Sequence, residues 1–305
     1  MKVNILLSTY NGEKFLSDQV KSIQAQTFTE WNLLIRDDGS TDKTLEIIEQ
    51  FVKNDYRIKI IPSNGNLKSI GSFFALAKYE KADYYFFCDQ DDVWLAKKIQ
   101  TLLDLVVKLD QKTPRLVYSE LSVVDQNLHV MTEKMVVSQS GHPNLQLFQE
   151  MTENTITGCT MMVNHALISL WVDTDEVIMH DWWLGLLASA VGELVFYDQP
   201  LIYYRQHANN VLGARTLKKR VKRWFNNWLE RYWQLIKNSQ KQANKLLNYD
   251  LSEEQRELVE TFVTIFDHSH RLRLLKKYHI RKNKNLHTFI FRFLITTKFA
   301  YKKEN

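Results

Sequence analysis

Three aspartates within four residues constrain this chain more than any other stretch. Asp89, Asp91 and Asp92 come directly after Tyr84–Cys88, an apolar segment that reads as a buried strand. Like charges gathered at the end of a strand repel one another and lose hydration, unless a cation or strong donors offset that cost. Aspartates with this spacing can share one Mg²⁺ or Mn²⁺, which would also bind substrate phosphates. The alternative is a solvated acidic turn that caps the following helix.

Strand-like and helix-like segments alternate along the first part of the chain. Apolar segments at residues 3–7, 31–35 and 58–61 precede the one at Tyr84–Cys88, and segments of helical periodicity separate them. This order predicts an α/β fold with a Rossmann-like, mostly parallel sheet and flanking helices. Ligands of such sheets bind beyond the carboxyl ends of the strands. We therefore expect the polar junctions after these strands to converge on one crevice.

The composition of these junctions disfavours two common classes of enzyme. They lack the glycines of a dinucleotide-binding fingerprint and contain no lysine-bearing phosphate loop, so hydride transfer and P-loop hydrolysis are disfavoured. An acidic crevice repels bare phosphate, so a phosphate-bearing ligand needs a metal as a bridge. A nucleoside diphosphate derivative with a divalent ion fits both constraints.

A polar segment at residues 154–160 is rich in short hydroxyl side chains and includes Thr157 and Gly158. Such a segment serves either as an acceptor-binding loop or as a plain edge strand, and the sequence leaves both open.

Asp181, Trp182 and Trp183 stand at the start of an apolar helical segment. An aspartate there can cap the helix. The tryptophans favour another interpretation, because aromatic faces pack against sugar rings and a neighbouring carboxylate can take a proton from a sugar hydroxyl.

Four motifs together resemble the glycosyltransferases of family 2, which have the GT-A fold. They lie in that family's order and separation at residues 8–12, 37–42, 89–94 and 180–182, and the resemblance covers about residues 1–212. Residues 204–207 and Asn210 further resemble bacterial rhamnosyltransferases that build cell-wall and surface polysaccharides.

The resemblance implies a role for each matching residue. Asp181 would be the general base, and Asp38 would accept the pyrimidine N3 proton of the donor. The other implied sites are the donor site (Thr9, Tyr10, Asn11, Asp89, Gln206), the Mg²⁺ or Mn²⁺ site (Asp91, Asp92, His207) and the acceptor site (Thr157, Gly158, Trp182, Trp183).

The implied reaction is an inverting transfer of L-rhamnose from dTDP-L-rhamnose to a lipid-linked polysaccharide precursor. A UDP-hexose donor is the alternative within enzymes, and a non-catalytic sugar-binding or membrane scaffold is the alternative outside them. Nucleic-acid binding is not expected, because residues 1–213 carry 18 Lys+Arg against 27 Asp+Glu.

The remainder of the chain, residues 213–305, is predicted to be a basic helical region. From residue 214 onward it carries 22 Lys+Arg against 8 Asp+Glu. Two apolar stripes at helical spacing predict attachment to an anionic membrane surface, with packing on the catalytic domain or across a homodimer as the alternative. The stripes are Leu217, Val221, Trp224, Phe225, Trp228 and Tyr232, then Leu286, Phe289, Ile290, Phe293 and Leu294.

The location predicted from the sequence is the cytoplasm, peripheral on the inner face of the cell membrane. Two cysteines cannot form a disulfide framework of the kind that secreted domains use, and the apolar run at the start of the chain is too short for a signal peptide. No run is apolar and long enough to predict a transmembrane helix.

Overall fold

The computed structural model describes residues 1–207 and 228–301. The strands are β1 (Val3–Thr9), β2 (Trp31–Asp37), β3 (Ile58–Ile60), β4 (Tyr84–Cys88), β5 (Val93–Trp94), β6 (Arg115–Val124), β7 (Val130–Thr132), β8 (Met161–Asn164) and β9 (Glu193–Arg205). The first eight helices are α1 (Leu16–Gln24), α2 (Thr44–Asn54), α3 (Lys68–Tyr79), α4 (Lys98–Asp104), α5 (Met135–Ser140), α6 (Leu147–Glu150), α7 (His165–Leu170) and α8 (His180–Val191). Then follow α9 (Trp228–Asn244), α10 (Glu253–Val263), α11 (Arg271–Lys277) and α12 (Asn285–Thr297).

The nine described strands form one sheet in the order β3-β2-β1-β4-β8-β6-β9-β5, with β7 paired to β6. The strands from β3 to β4 are parallel, as the alternation of strands and helices predicts. Beyond β4 the sheet is mixed, which differs from the expectation of a mostly parallel sheet. The reason is that β8 enters between β4 and β6 in the opposite direction, and β5 pairs antiparallel with β9.

Alternate residues of the central strands face two separate hydrophobic cores. On β1, Ile5 and Leu7 pack with α1, α2 and α4, whereas Leu6 packs on the side of α3 and α8. Successive side chains of a strand point to opposite faces, so an apolar run such as β1 fills both cores.

The register of β1, β2 and β4 brings three polar junctions to one edge. Thr9 is level with Asp37, and Leu7 is level with Cys88, the residue before Asp89. The predicted convergence of these junctions at the carboxyl ends of the strands is therefore confirmed for the backbone.

Residues 154–157 form a loop, followed by a short 3₁₀ turn over Gly158–Thr160. The strand that comes next, β8, lies inside the sheet between β4 and β6. The edge-strand interpretation of residues 154–160 is therefore wrong, because these residues lead into an interior strand.

The C-terminal region is helical, as predicted, and its α9–α12 pack against the α8 side of the sheet. Trp233, Phe262 and Phe291 belong to the same hydrophobic core as Trp183 and Leu184. The Ile178 N–H also donates to Gln242 Oε1 of α9 at 2.8 Å. The predicted boundary at residue 212 lies outside the described residues.

The two predicted stripes of this region meet different outcomes. Residues 217–225 of the first stripe lie outside the described part of the chain. The last two members of that stripe lie on α9, where Trp228 is partly exposed and Tyr232 is half-buried. The second is divided, because Leu294 is buried whereas Phe289 and Phe293 are exposed. None of the helices described here is long and apolar enough to cross a membrane.

Candidate active site

The loops after β1 and β2 are joined by their own side chains. Asp37 accepts hydrogen bonds from the Thr9 hydroxyl at 2.8 Å, the Gly39 N–H at 3.0 Å and the Ser40 N–H at 2.7 Å. The Asn11 side chain accepts from the Thr41 N–H at 2.9 Å. Thr9 and Asn11, both predicted donor contacts, therefore also organise the loops that would form the donor pocket.

Gln90 lies within residues 89–92, the acidic motif, and joins the loop after β1 to the loop after β4. Its Oε1 accepts from the Tyr10 N–H at 2.9 Å, and its Nε2 donates to the Tyr10 carbonyl at 3.0 Å. A Cβ at Gly12 would lie 2.3 Å from Gln90 Oε1, so only glycine leaves room for this amide. Tyr10 is 52% exposed, so its side chain is accessible to a planar ligand.

Asp38, the predicted partner of the donor base, is buried and already engaged within the protein. It forms an ion pair with Arg36 and accepts from the Ser72 hydroxyl at 2.5 Å. Arg36 also donates to the Gly65 carbonyl at 2.8 Å, so this pair ties β2 to the loop before α3 and, through Ser72, to α3 itself. Contact between Asp38 and a donor base stays a prediction.

Asp91 and His207 meet at the mouth of the crevice. His207 Nε2 lies 2.8 Å from Asp91 Oδ2, and both side chains are partly exposed. Gln206 precedes His207, and its N–H donates to the Val124 carbonyl at 2.8 Å. The end of β9 therefore carries His207 to the acidic motif, which the sequence order alone does not require.

Asp92, in contrast, points into the protein. Its Oδ1 accepts from the Arg205 N–H at 3.0 Å, whereas its Oδ2 has no hydrogen-bond partner among residues 1–207 and 228–301. Asp89, Asp92 and Cys159 place ligand atoms within 4.8 Å of one another. Burial, followed by the charges of its neighbours, raises the pKa of Asp89 to about 7 and raises the pKa of Asp92 well above its usual range.

The donor set of this motif fits a hard divalent ion. The carboxylates suit Mg²⁺ or Mn²⁺, and a cation would offset both the unpaired Asp92 oxygen and the burial and repulsion that raise the pKa values of Asp89 and Asp92. Cys159 contributes no ligand for such an ion, because burial keeps the pKa of its thiol well above the usual range. Of the predicted ligands, the structure brings Asp91 to His207 and turns Asp92 toward Asp89.

Asp181 is buried at the first turn of α8 and held by three donors. Its Oδ2 accepts from the Gly158 N–H at 3.0 Å, and its Oδ1 accepts from the Trp182 N–H at 2.6 Å and from Asn154 Nδ2 at 3.2 Å. Burial raises its pKa to about 6 in spite of these hydrogen bonds. The N-cap of α8 is Met179, so Asp181 does not occupy the capping position.

Gly158 is required at its position by close packing. A Cβ there would lie 2.5 Å from His180 Nε2 and 3.7 Å from Asp181 Oδ2. His180 is a core residue that packs against Phe73 and Phe87, and burial lowers its pKa to about 3. Gly158 thus brings a backbone N–H to Asp181, and Thr157 beside it is half-buried.

The two tryptophans after Asp181 are packing residues in this structure. Trp182 is 6% exposed and donates through Nε1 to the Glu150 carbonyl at 2.6 Å. Trp183 is 1% exposed and lies edge-on to Tyr249 of the helical region. Trp183 therefore presents no ring face to an acceptor in this conformation, because the C-terminal region covers it.

Two cations that the sequence analysis gave no role lie beside the acidic motif. Arg205 donates to the Asp91 carbonyl at 2.9 Å and to Asp18 Oδ2 at 3.0 Å. Lys98 is fully buried over the Trp94 ring, donates to the Cys159 carbonyl, and its pKa is lowered by burial to about 8. Arg205 could have been noticed from its place in the 204–207 motif. Lys98 lies in an ordinary helical pattern and gave no signal.

Glu150 is a further buried carboxyl near Asp181. Neither of its oxygens has a well-formed hydrogen bond within the described residues, and its pKa is raised well above the usual range by burial and secondarily by the Asp181 charge. The Asn144 side chain faces it, and Asn144 Oδ1 is also buried without a partner there. A protonated Glu150 can donate to Asn144 Oδ1 and so satisfy both groups.

Comparison with known proteins identifies the class. Residues 4–169 match the family model described as "Glycosyl transferase family 2". The S. aureus TarS 1-349 structure in complex with UDP-GlcNAc superposes with a TM-score of 0.59 over 91% of this chain and 80% of that one, at 17% identity. The fold is the GT-A fold of glycosyltransferases.

Curated relatives give the same result at the level of sequence. The dTDP-rhamnosyl transferase RfbG of Shigella flexneri is 30% identical over 71% of this chain and 77% of its own. The UDP-Glc:alpha-D-GlcNAc-diphosphoundecaprenol beta-1,3-glucosyltransferase WfgD of Escherichia coli is 25% identical over 55% of this chain and 62% of its own. The chain belongs to glycosyl transferase family 2.

Proposed function

We propose that this protein transfers L-rhamnose from dTDP-L-rhamnose to a lipid-linked polysaccharide precursor, with inversion at the anomeric carbon. The observation that carries the proposal is the environment of Asp181. This carboxylate is buried and oriented by Gly158 and Asn154, and its charge contributes, after burial and the Asp91 charge, to the raised pKa of Asp89. These contacts support a site in which the proposed base and the proposed diphosphate-binding motif would act on the same donor.

The reaction is a single displacement. Asp181 takes the proton of an acceptor hydroxyl, whose oxygen forms a bond to the anomeric carbon of the donor. The bond from that carbon to the diphosphate oxygen breaks, and the nucleoside diphosphate leaves with the electron pair. Attack opposite the leaving group inverts the configuration.

Residues of the chain hold the donor for this step. The exposed Tyr10 side chain can contact the nucleobase of the donor, and the two hydrogen bonds from Gln90 set the position of the Tyr10 backbone. A divalent ion held by Asp91 and His207 with Asp89 or Asp92 would, when bound, neutralise charge on the departing diphosphate. Arg205 holds the acidic motif through the Asp91 carbonyl, and the buried Lys98 places a positive charge near Asp92 and Asp89.

Rhamnose is proposed as the sugar because RfbG, named a dTDP-rhamnosyl transferase, is a relative at 30% identity. A UDP-hexose donor is the second candidate, because WfgD is named a UDP-Glc transferase and TarS was solved with UDP-GlcNAc. The lipid-linked acceptor is supported by the diphosphoundecaprenol in the name of WfgD, and the proposed site of action at the inner membrane surface rests on such an acceptor.

The decisive experiment is a donor screen with Mn²⁺ present. The protein is incubated with dTDP-L-rhamnose, UDP-glucose, UDP-galactose and UDP-GlcNAc, and release of nucleoside diphosphate is measured with and without a lipid-linked acceptor. We expect turnover of dTDP-L-rhamnose. Preference for a UDP-hexose would select the second candidate, and failure to release diphosphate from any donor would favour a non-catalytic sugar-binding scaffold.

A further inference from the structure

Helix α12 presents an apolar stripe to solvent although its other face is well packed. Phe291, Leu294 and Ile295 are buried in the core, at about 1% exposure or less. The stripe lies on the opposite side of the helix, and Phe299 extends it beyond the helix end. Its members are Leu286 at 67% exposure, Phe289 at 69%, Phe293 at 46% and Phe299 at 57%.

The members of this stripe form one continuous surface. The rings of Phe289 and Phe293 are 6.4 Å apart between centroids, and those of Phe293 and Phe299 are 6.3 Å apart. Spacing of three and four residues along a helix places Leu286, Phe289 and Phe293 on one line. Contiguous exposed apolar surface marks an interaction site more often than a scattered exposed residue does.

The surroundings of the stripe are positively charged. Residues 268–301 contain nine Lys and Arg residues and no Asp or Glu. Several of these cations donate to neutral backbone carbonyls: Arg271 to Thr296, Arg292 to Ile280, and Lys298 to Phe266. A carbonyl orients a cation without cancelling its charge. Lys277 pairs with Glu257 of α10 at 3.3 Å, which neutralises one of the nine.

We propose that the stripe of α12 and Phe299 docks the protein onto an anionic lipid bilayer. This inference deepens the proposed function. It rests on that function because the proposed acceptor is lipid-linked and would lie in a membrane. Exposed aromatic rings flanked by Lys and Arg suit the boundary between headgroups and acyl chains. A second copy of the chain fits poorly, because self-association through this surface would bring its cations against an identical set.

The docking surface is connected to the predicted acceptor side of the active site. The segment before α12 is bonded to the chain near Asp181, because the Asn283 N–H donates to Glu153 Oε2 at 2.8 Å. The neighbouring residue Asn154 donates to Asp181 Oδ1 at 3.2 Å. An enzyme seated on the bilayer through α12 would therefore receive a lipid-linked acceptor on the side where Asp181 lies.

The test measures vesicle binding of the full chain. Flotation uses vesicles of equal parts phosphatidylglycerol and phosphatidylcholine, and vesicles of phosphatidylcholine alone. The double variant Phe289→Ser/Phe293→Ser should lose at least about tenfold in affinity for the anionic vesicles. The control variant is Tyr56→Ser, which removes a 90% exposed side chain from the turn between α2 and β3 and should bind as the parent does.

The outcomes separate docking from catalysis. Unchanged binding of the double variant, or binding that ignores lipid charge and salt, would overturn the proposal. So would a fall in oligomer mass in the double variant, measured by light scattering, because the stripe would then be a contact between copies. Release of diphosphate without added acceptor should be equal in parent and double variant. Vesicle binding by a parent protein that turns over no donor would uphold docking and refute the proposed function.

Discussion

Asp91 Oδ2 and His207 Nε2 lie 2.8 Å apart although 116 residues separate them in the chain. The contact depends on β9, whose last residues pair with β6 and β5 and end beside the acidic motif. The carboxylate lies in the loop after β4, and the imidazole follows β9, the last strand in the chain. The pairing of β9 with β5 and β6 therefore assembles the predicted metal site.

Replacing Asp91 with Asn should weaken Mn²⁺ binding by at least about tenfold and reduce turnover by about 10²-fold or more. The reason is that the amide keeps the shape but carries no charge for the ion. Isothermal titration with Mn²⁺ and donor turnover measure the two effects. The matched control is Asp125→Asn, which alters another Asp–His pair, 3.1 Å to His129 on an exposed turn. Undiminished Mn²⁺ affinity in Asp91→Asn would rule out this carboxylate as a ligand.

Replacing Asp181 with Asn should reduce kcat by about 10²- to 10⁴-fold, while donor affinity stays near that of the parent. The amide can still accept from Trp182 and Asn154, but its NH₂ group then faces the Gly158 N–H and cannot accept from it. A modest loss of thermal stability should accompany the loss of turnover. Asp175→Asn, an exposed change on the segment before α8, is the control and should leave kcat unchanged. A stability change with normal turnover would leave Asp181 a purely structural role.

The pH dependence of kcat/KM should have an acid limb near pH 6. Burial raises the pKa of Asp181 to about 6. After burial, the Asp181 charge is among the causes that raise the pKa values of Asp89 and Glu150. A general base must be ionised, so below pH 6 activity should fall about tenfold per pH unit. A base with an ordinary aspartate pKa would instead keep its activity down to about pH 4. Initial rates between pH 4.5 and pH 8.5 distinguish the two curves.

Replacing Glu150 with Gln should stabilise the protein at pH 7.5, and the gain should shrink toward pH 4.5. The folded-state pKa of Glu150 is raised well above its usual range. Its contribution to stability is therefore complete below the unfolded pKa of about 4.3 and declines as the pH rises above that value. Glutamine is neutral at every pH and can donate to Asn144 Oδ1. Melting temperatures of parent, Glu150→Gln and the exposed control Glu133→Gln at both pH values test this. A Glu150→Gln variant less stable than the parent at pH 7.5 would contradict a neutral Glu150.

Local pattern was sufficient to determine the strand and helix order through Tyr84–Cys88 and the convergence of the polar junctions. Apolar runs of strand length and the helical periods between them depend on neighbouring residues, which is why they can be read directly. The direction of β8 could not be read in this way. Its residues are as apolar as those of a parallel strand, and its antiparallel pairing with β4 and β6 is defined only in the folded sheet.

Burial of the site residues was decided by tertiary structure. The sequence placed Asp91 and Asp92 side by side, but only the fold turned Asp92 toward Cys159 and left Asp91 at the crevice mouth. Trp183 was predicted to contact an acceptor, yet Tyr249 packs against it from a segment 66 residues away. The sequence itself determined the chemistry available: three carboxylates at a strand end, a histidine and a possible base. Exposure, pKa and partner of each group depend on which distant segments pack around it, and those contacts exist only in the folded chain.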